Sequence, residues 1–214
     1  MINRRHFSIA AGMAAAVALT AGALIASTAS ATPASDIGAA APAFTGVTAS
    51  GETVSLSDYA GQTVVLEWTN HDCPFVKKHY AEPHLNMQTL QSGAAEADTV
   101  WFQVISSAPG KQGYVSAEEA IALNKQRGAT PAGVILDSTG EIGRAYDAKT
   151  TPHMYVIDGE GLLQYAGAID SVRSAKPADI PDAENYVMAA LDSVAAGEPV
   201  ATATSKAYGC SVKY

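Results

Sequence analysis

The sequence predicts an α/β sandwich, a central mixed β-sheet flanked by helices. Three observations carry this. Residues 64–68 (Val-Val-Leu-Glu-Trp), 99–106 and 133–136 are short, largely apolar runs, the pattern of strands buried on both faces of a sheet. Helix-start signals separate them, among them Cys73-Pro74 and the capping box Ser116-Ala117-Glu118-Glu119. A Gly159-Glu160-Gly161 turn then joins two further strands, 154–158 and 162–168.

Taken in order, residues 32–42 read as a small-residue linker and 43–56 as a short hairpin broken at Ser50-Gly51. A turn at 58–61 precedes the first buried strand. Pro74 suits the first helical position, where the N–H it lacks is not needed, so a helix is expected from there to about Gln91, kinked or restarted at Pro83. The capping box opens a helix to about Gln126, and a short helix covers 141–146. Asp182 is expected to cap a last helix with Val187, Met188, Leu191 and Val194 on one face. Residues 43–196 thus form one domain, and a polar tail, 197–214, carries Gly209-Cys210-Ser211-Val212-Lys213-Tyr214.

With 214 residues and 48% hydrophobic content, the chain can bury a substantial core. Its 13 basic and 21 acidic side chains give a net charge of −8, the opposite of the basic footprint of a nucleic-acid binder. Residues 1–31 read as an export signal: Arg4 and Arg5, an uncharged Ala-rich run, and a small-residue Ala29-Ser30-Ala31 site. Asn3-Arg4-Arg5-His6-Phe7 resembles the bacterial twin-arginine signal. An ordinary secretory signal and an uncleaved anchor are the alternatives. The mature chain is expected to be periplasmic or otherwise extracytoplasmic, with no stable membrane insertion after cleavage, in a compartment where disulfides persist.

Two cysteines, Cys73 and Cys210, make neither a disulfide-dense scaffold nor a four-ligand zinc module. Cys73 follows a strand and sits at a helix N-terminus, where free amides and the helix dipole stabilise a thiolate. Lys77, one turn on, favours that charge and Asp72 opposes it. A buried structural thiol is the competing reading. Glu67, within an apolar strand, is either buried with a raised pKa, fit to relay protons, or exposed at the strand end. His71, His79, His84 and His153 lack metal-ligand spacing, so no metal and no cofactor is expected.

The junction Glu67 to Cys73 resembles the thioredoxin-like superfamily, in which an acid precedes the first active-site cysteine by six residues. The family's second cysteine falls at Val76 and is absent. Thr150-Thr151-Pro152-His153 resembles the strand entry where that superfamily places a cis-proline. The resemblance implies that Pro152 faces Cys73 and that Thr151 offers backbone hydrogen bonds to an incoming peptide or mixed disulfide. More narrowly, Ala41 to Phe44, the Asn-His…Cys-Pro-Phe-Val-Lys core, Thr-Pro-His, Gly167 to Asp170 and the Gly-Cys-Ser-Val-Lys end are similar to redoxins of the alkyl hydroperoxide reductase/thiol-specific antioxidant type. Peroxiredoxins proper place Thr three residues before the reactive Cys, whereas Thr69 is four before, and Arg127 or Arg144 is the candidate peroxide-polarising guanidinium.

The resemblance implies an exported thiol-dependent oxidoreductase with Cys73 as nucleophile, acting on a hydroperoxide or a protein disulfide and recharged by an unknown thiol reductant. Its expected site residues are Cys73, Cys210, Glu67, Pro152 and Thr151. Cys210 is the internal candidate to resolve oxidised Cys73. An intermolecular bridge, two uncoupled thiols, and a non-catalytic binding module or metallochaperone on the same scaffold stay open.

Overall fold

The computed structural model describes residues 36–214. The expected export signal and the first residues of the expected linker lie outside the described residues. Chain order runs β1 (Thr45–Val47), β2 (Thr53–Ser55), β3 (Val64–Trp68), α1 (Pro74–Tyr80), α2 (Asn86–Glu96), β4 (Val100–Ile105), α3 (Ala117–Arg127) and β5 (Gly133–Leu136). It continues with α4 (Glu141–Ala145), β6 (Thr150–Thr151), β7 (His153–Ile157), β8 (Leu163–Gly167), α5 (Tyr186–Ala196) and β9 (Cys210–Ser211). The central sheet has the order β5-β4-β3-β7-β8. Strands β3, β4 and β5 run parallel, and β7 is antiparallel to both its neighbours.

Side-chain alternation along β3 divides the core in two. Val64, Leu66 and Trp68 face a layer closed by Phe44, Val54 of β2, Ile142 of α4 and Tyr146. Val65 faces a second layer with Val76 of α1, Met87 and Leu90 of α2, and Val187 and Ala190 of α5. Val65 and Leu66 are fully buried, and burial of a side chain of this kind contributes roughly 1.5–3 kcal/mol. The helices are therefore shared unevenly: α1, α2 and α5 cover one face, while α4 and the β1–β2 hairpin cover the other. Helix α3 packs Ala120 beside Ile105 and Val134 at the β5 edge.

The restart around Pro83 is as expected, but its bounds and three other local expectations change. The helix opened by Pro74 stops at Tyr80, the break around Pro83 spans residues 81–85, and the restarted α2 runs past Gln91 to Glu96. Helix α5 is capped by Asn185, whose side chain accepts from the Met188 N–H at 3.0 Å, and not by Asp182. Met188 lies 45% exposed, because the buried stripe runs through Val187 and Ala190. Part of the expected linker is bound: Gly38 and Ala41 donate to Leu163 and Gly161, and Leu163 donates to Ala39, which covers the edge of β8.

The tail also packs. Ala166 and Ser205 join it to β8, and β9 pairs antiparallel with β6, setting Cys210 opposite Thr151.

Candidate active site

The turn from β3 into α1 is shaped by Asn70. Its side-chain oxygen accepts from the Asp72 N–H at 3.0 Å, and its carbonyl accepts from the Cys73 N–H at 3.0 Å. Cys73 is thereby left as the N-cap residue, with extended backbone, and Pro74 begins the helix. The residue is fully buried. Its thiol donates to the Thr151 carbonyl at 3.1 Å, directly before a Thr151–Pro152 peptide that is cis.

Cys210 reaches the same place from the tail. Gly209, just before it, has φ +142°, and a Cβ there would lie 2.0 Å from the Thr151 carbonyl oxygen. Only glycine lets β9 approach this closely. Both cysteines are free thiols, and Cys210 packs against the buried cluster that holds Cys73. Burial pushes the Cys73 thiol up. Cys210, the Val76 backbone and the Thr151 side chain outweigh it, so the net shift is downward. Cys210 moves the other way, pushed up to about 11 by burial and by the neighbouring Cys73.

Glu67 is fully buried on the Val65 face. It accepts from the Tyr80 hydroxyl at 2.8 and 3.0 Å, from Trp101 Nε1 at 3.0 Å and from Gln91 Nε2 at 3.3 Å. Burial raises its pKa, with the Arg127 charge and these hydrogen bonds pulling the other way. Among the described residues no hydrogen bond joins its carboxylate to Cys73.

The two candidate guanidiniums are committed elsewhere. Arg127 lies over the Tyr80 ring at 3.9 Å and bonds Asn124, while Arg144 lies over Tyr214 at 4.6 Å and donates to the Thr139 carbonyl. Asp72 and Lys77, expected to pull Cys73 in opposite directions, pair with each other at 3.8 Å. A cavity of about 340 Å³ adjoins the loop before Cys73, lined by His71, Asp72, Lys77, Tyr80, Leu123 and Arg127. His153 packs on Tyr155, with its pKa lowered to about 4 by burial. Among the described residues no three His, Cys, Asp or Glu side chains converge as a metal site.

Three residues around the thiols were not singled out as site residues from sequence: Lys78, Asp170 and Tyr208, which meet in the interior beside α1. Asp170 closes the quoted Gly167 to Asp170 run, a signal that marked a place in the chain without indicating a partner.

The family model described as "AhpC/TSA family" matches residues 37–166, more than half of the chain. Among solved structures, a conserved protein from Geobacillus kaustophilus is similar at 26% identity and TM-score 0.70, over 84% of this chain and 92% of that one. A protein from Sinorhizobium meliloti 1021 is similar at 22% identity and TM-score 0.70, over 84% and 94%. A thioredoxin domain of a thiol-disulfide oxidoreductase from Bacteroides vulgatus aligns at 18% identity and TM-score 0.49, over 69% and 96%. No match is found among curated proteins.

Proposed function

Because the chain belongs to the AhpC/TSA family, with a thioredoxin-like fold, we propose that it is an exported, peroxiredoxin-like thiol peroxidase in which Cys73 is the nucleophile and Cys210 the resolving thiol. The observation that carries this is that β9 sets Cys210 opposite Thr151, whose carbonyl accepts from the Cys73 thiol, and packs it against the cluster that holds Cys73, with the two thiols shifted in opposite directions. A low-pKa thiol is the attacking form at neutral pH, and a high-pKa neighbour stays protonated until it is needed.

The chemistry balances with groups in place. The Cys73 thiolate attacks one oxygen of a hydroperoxide, the O–O bond breaks, and the departing alkoxide takes a proton and leaves as an alcohol, or as water when the oxidant is hydrogen peroxide. Cys73 becomes a sulfenic acid. The Cys210 sulfur then attacks the Cys73 sulfur, the S–O bond breaks, and the hydroxyl leaves as water with the Cys210 proton. Two equivalents of an external thiol reduce the Cys73–Cys210 disulfide and are themselves oxidised to a disulfide.

A hydroperoxide suits the site better than a protein disulfide, because β9 occupies the Thr151 edge that an incoming peptide would need. The apposed thiols also favour a second reading, disulfide exchange with a protein dithiol, which requires β9 to leave that edge. We place the mature chain in an extracytoplasmic compartment on the strength of its N-terminal residues alone.

Peroxide consumption and reduction of a model protein disulfide, run side by side on wild type, Cys73→Ser and Cys210→Ser, test both readings. Turnover of peroxide by wild type, loss to background in Cys73→Ser, and a single turnover in Cys210→Ser are expected. Equal rates for wild type and Cys73→Ser in both assays would leave a non-catalytic module.

A further inference from the structure

Strand β9 is only two residues long, too short a ladder to hold itself in place. Beyond Cys210 it is tied by Val212 N–H to the Lys149 carbonyl, and by the Tyr214 hydroxyl to the Ala148 carbonyl. Before Cys210 the tie is of another kind. Tyr208 inserts its ring against Phe75, 5.8 Å between centroids, and its hydroxyl donates to Asp170. Lys78 Nζ, on a side chain with no exposure, donates to Asp170 at 2.7 Å, to the Val172 carbonyl at 3.0 Å and to the Tyr208 hydroxyl at 3.3 Å. All three ammonium protons are used, and the Tyr208 hydroxyl both gives and receives.

A fully buried lysine is costly unless it is paired and hydrogen-bonded. This one lies five residues after Cys73 on the same helix, and the tyrosine that completes its shell lies two residues before Cys210. The cluster is therefore a cross-brace from the helix carrying one sulfur to the strand carrying the other. The same segment covers Cys73, which has no exposure with β9 in place.

We propose that Tyr208, acting through the buried Lys78–Asp170 pair, is the positioning residue of Cys210: it holds the resolving thiol on Cys73 and sets how often β9 lifts to admit an oxidant. This rests on Cys73 and Cys210 being the working pair. Tyr208 is not catalytic; its hydroxyl bonds Lys78 and Asp170, and it works through the strand. Held by this latch, Cys210 stays opposite Thr151, whose carbonyl accepts from the Cys73 thiol. The other charged groups nearest the pair are Lys213 on the tail, which favours the Cys210 thiolate, and the Asp72–Lys77 pair beside Cys73.

The test uses the reduced full chain and the variant Tyr208→Phe, which keeps the ring against Phe75 and removes the hydroxyl. The rate of Cys73 alkylation by iodoacetamide is followed by peptide mass spectrometry as a function of pH. The variant is expected to react about tenfold faster at the high-pH plateau, the change in opening expected from one lost buried hydrogen bond. Its midpoint is also expected to move to higher pH, because Cys210, one of the groups that lowers the Cys73 thiol, is held less well. An unmoved midpoint in the folded variant overturns the proposal whatever the plateau does, since Tyr208 is then not what holds Cys210 beside Cys73. Should Tyr208→Phe fail to fold, Phe75→Leu, which removes the other support of the ring, is read in the same way. None of these readouts uses a peroxide, so a failure of the peroxidase reading shows separately, as absence of peroxide consumption by wild type.

Discussion

The two thiols differ because of what surrounds each sulfur. Cys73 caps the start of α1, whereas Cys210 sits on the two-residue strand β9. Replacing Cys210 by Ala removes a neighbour that lowers the Cys73 thiol, and the pH midpoint of Cys73 alkylation is expected to rise; an unchanged midpoint would separate the two groups. Glu67 carries a linkage of definite sign. Its folded pKa is raised above the ordinary value of 4.5, so its contribution to stability is fully present below that value and is lost as pH rises through the raised folded pKa. Thermal melts across that window are expected to show a smaller decline for Glu67→Gln than for wild type. Cys73 and Glu67 were singled out from one strand–loop–helix unit, by the cysteine at its helix start, the acid in its apolar strand and the resemblance of their spacing to the thioredoxin-like superfamily. That spacing did not reveal that Glu67 bonds Tyr80, Gln91 and Trp101, which come from 13 to 34 residues away across helix and sheet.

At the scale of elements, the strands were the most legible part. Runs such as Val64–Trp68 and Gly133–Leu136 have the bounds expected of them, since burial on both faces leaves a continuous apolar signature. The capping box was equally readable. In α3, Ser116 accepts from the Glu119 N–H at 3.2 Å while the Glu119 side chain accepts from the Ser116 N–H at 2.7 Å. Ser116→Ala is expected to cost about 1 kcal/mol in denaturant unfolding and to leave Cys73 alkylation unchanged. The start of α5 was misread because Asp182 and Asn185 are both good caps, and only the tertiary fold decides where the chain turns. Strand β9 was illegible for a stronger reason. A two-residue ladder has no periodicity, and its partner lies some sixty residues earlier. Gly209→Ala is expected to displace it, since the added Cβ would meet the Thr151 carbonyl. Peroxide-driven disulfide formation in that variant should fall at least about tenfold, because the effective concentration of an attacking group depends on its placement.

At the scale of the molecule, the fold brings together groups that the sequence keeps far apart. Lys78 and Asp170 are 92 positions apart, and Lys78 and Tyr208 are 130 apart. A lysine in a helix also reads as a surface residue unless its partner is known. A bridge between Cys73 and Cys210 closes nearly the whole domain, so its effect on the unfolded chain is large, about 4–5 kcal/mol in the chain-entropy view. Calorimetry is expected to show the oxidised protein melting roughly 5–15 °C above the reduced one. The central claim, that Cys73 and Cys210 form one redox couple, is tested most directly by non-reducing peptide mapping after one equivalent of hydrogen peroxide. The expected product is a single Cys73–Cys210 linked peptide from monomeric protein; Cys73 found as sulfinic acid beside a free Cys210, or linked only between chains, would contradict it.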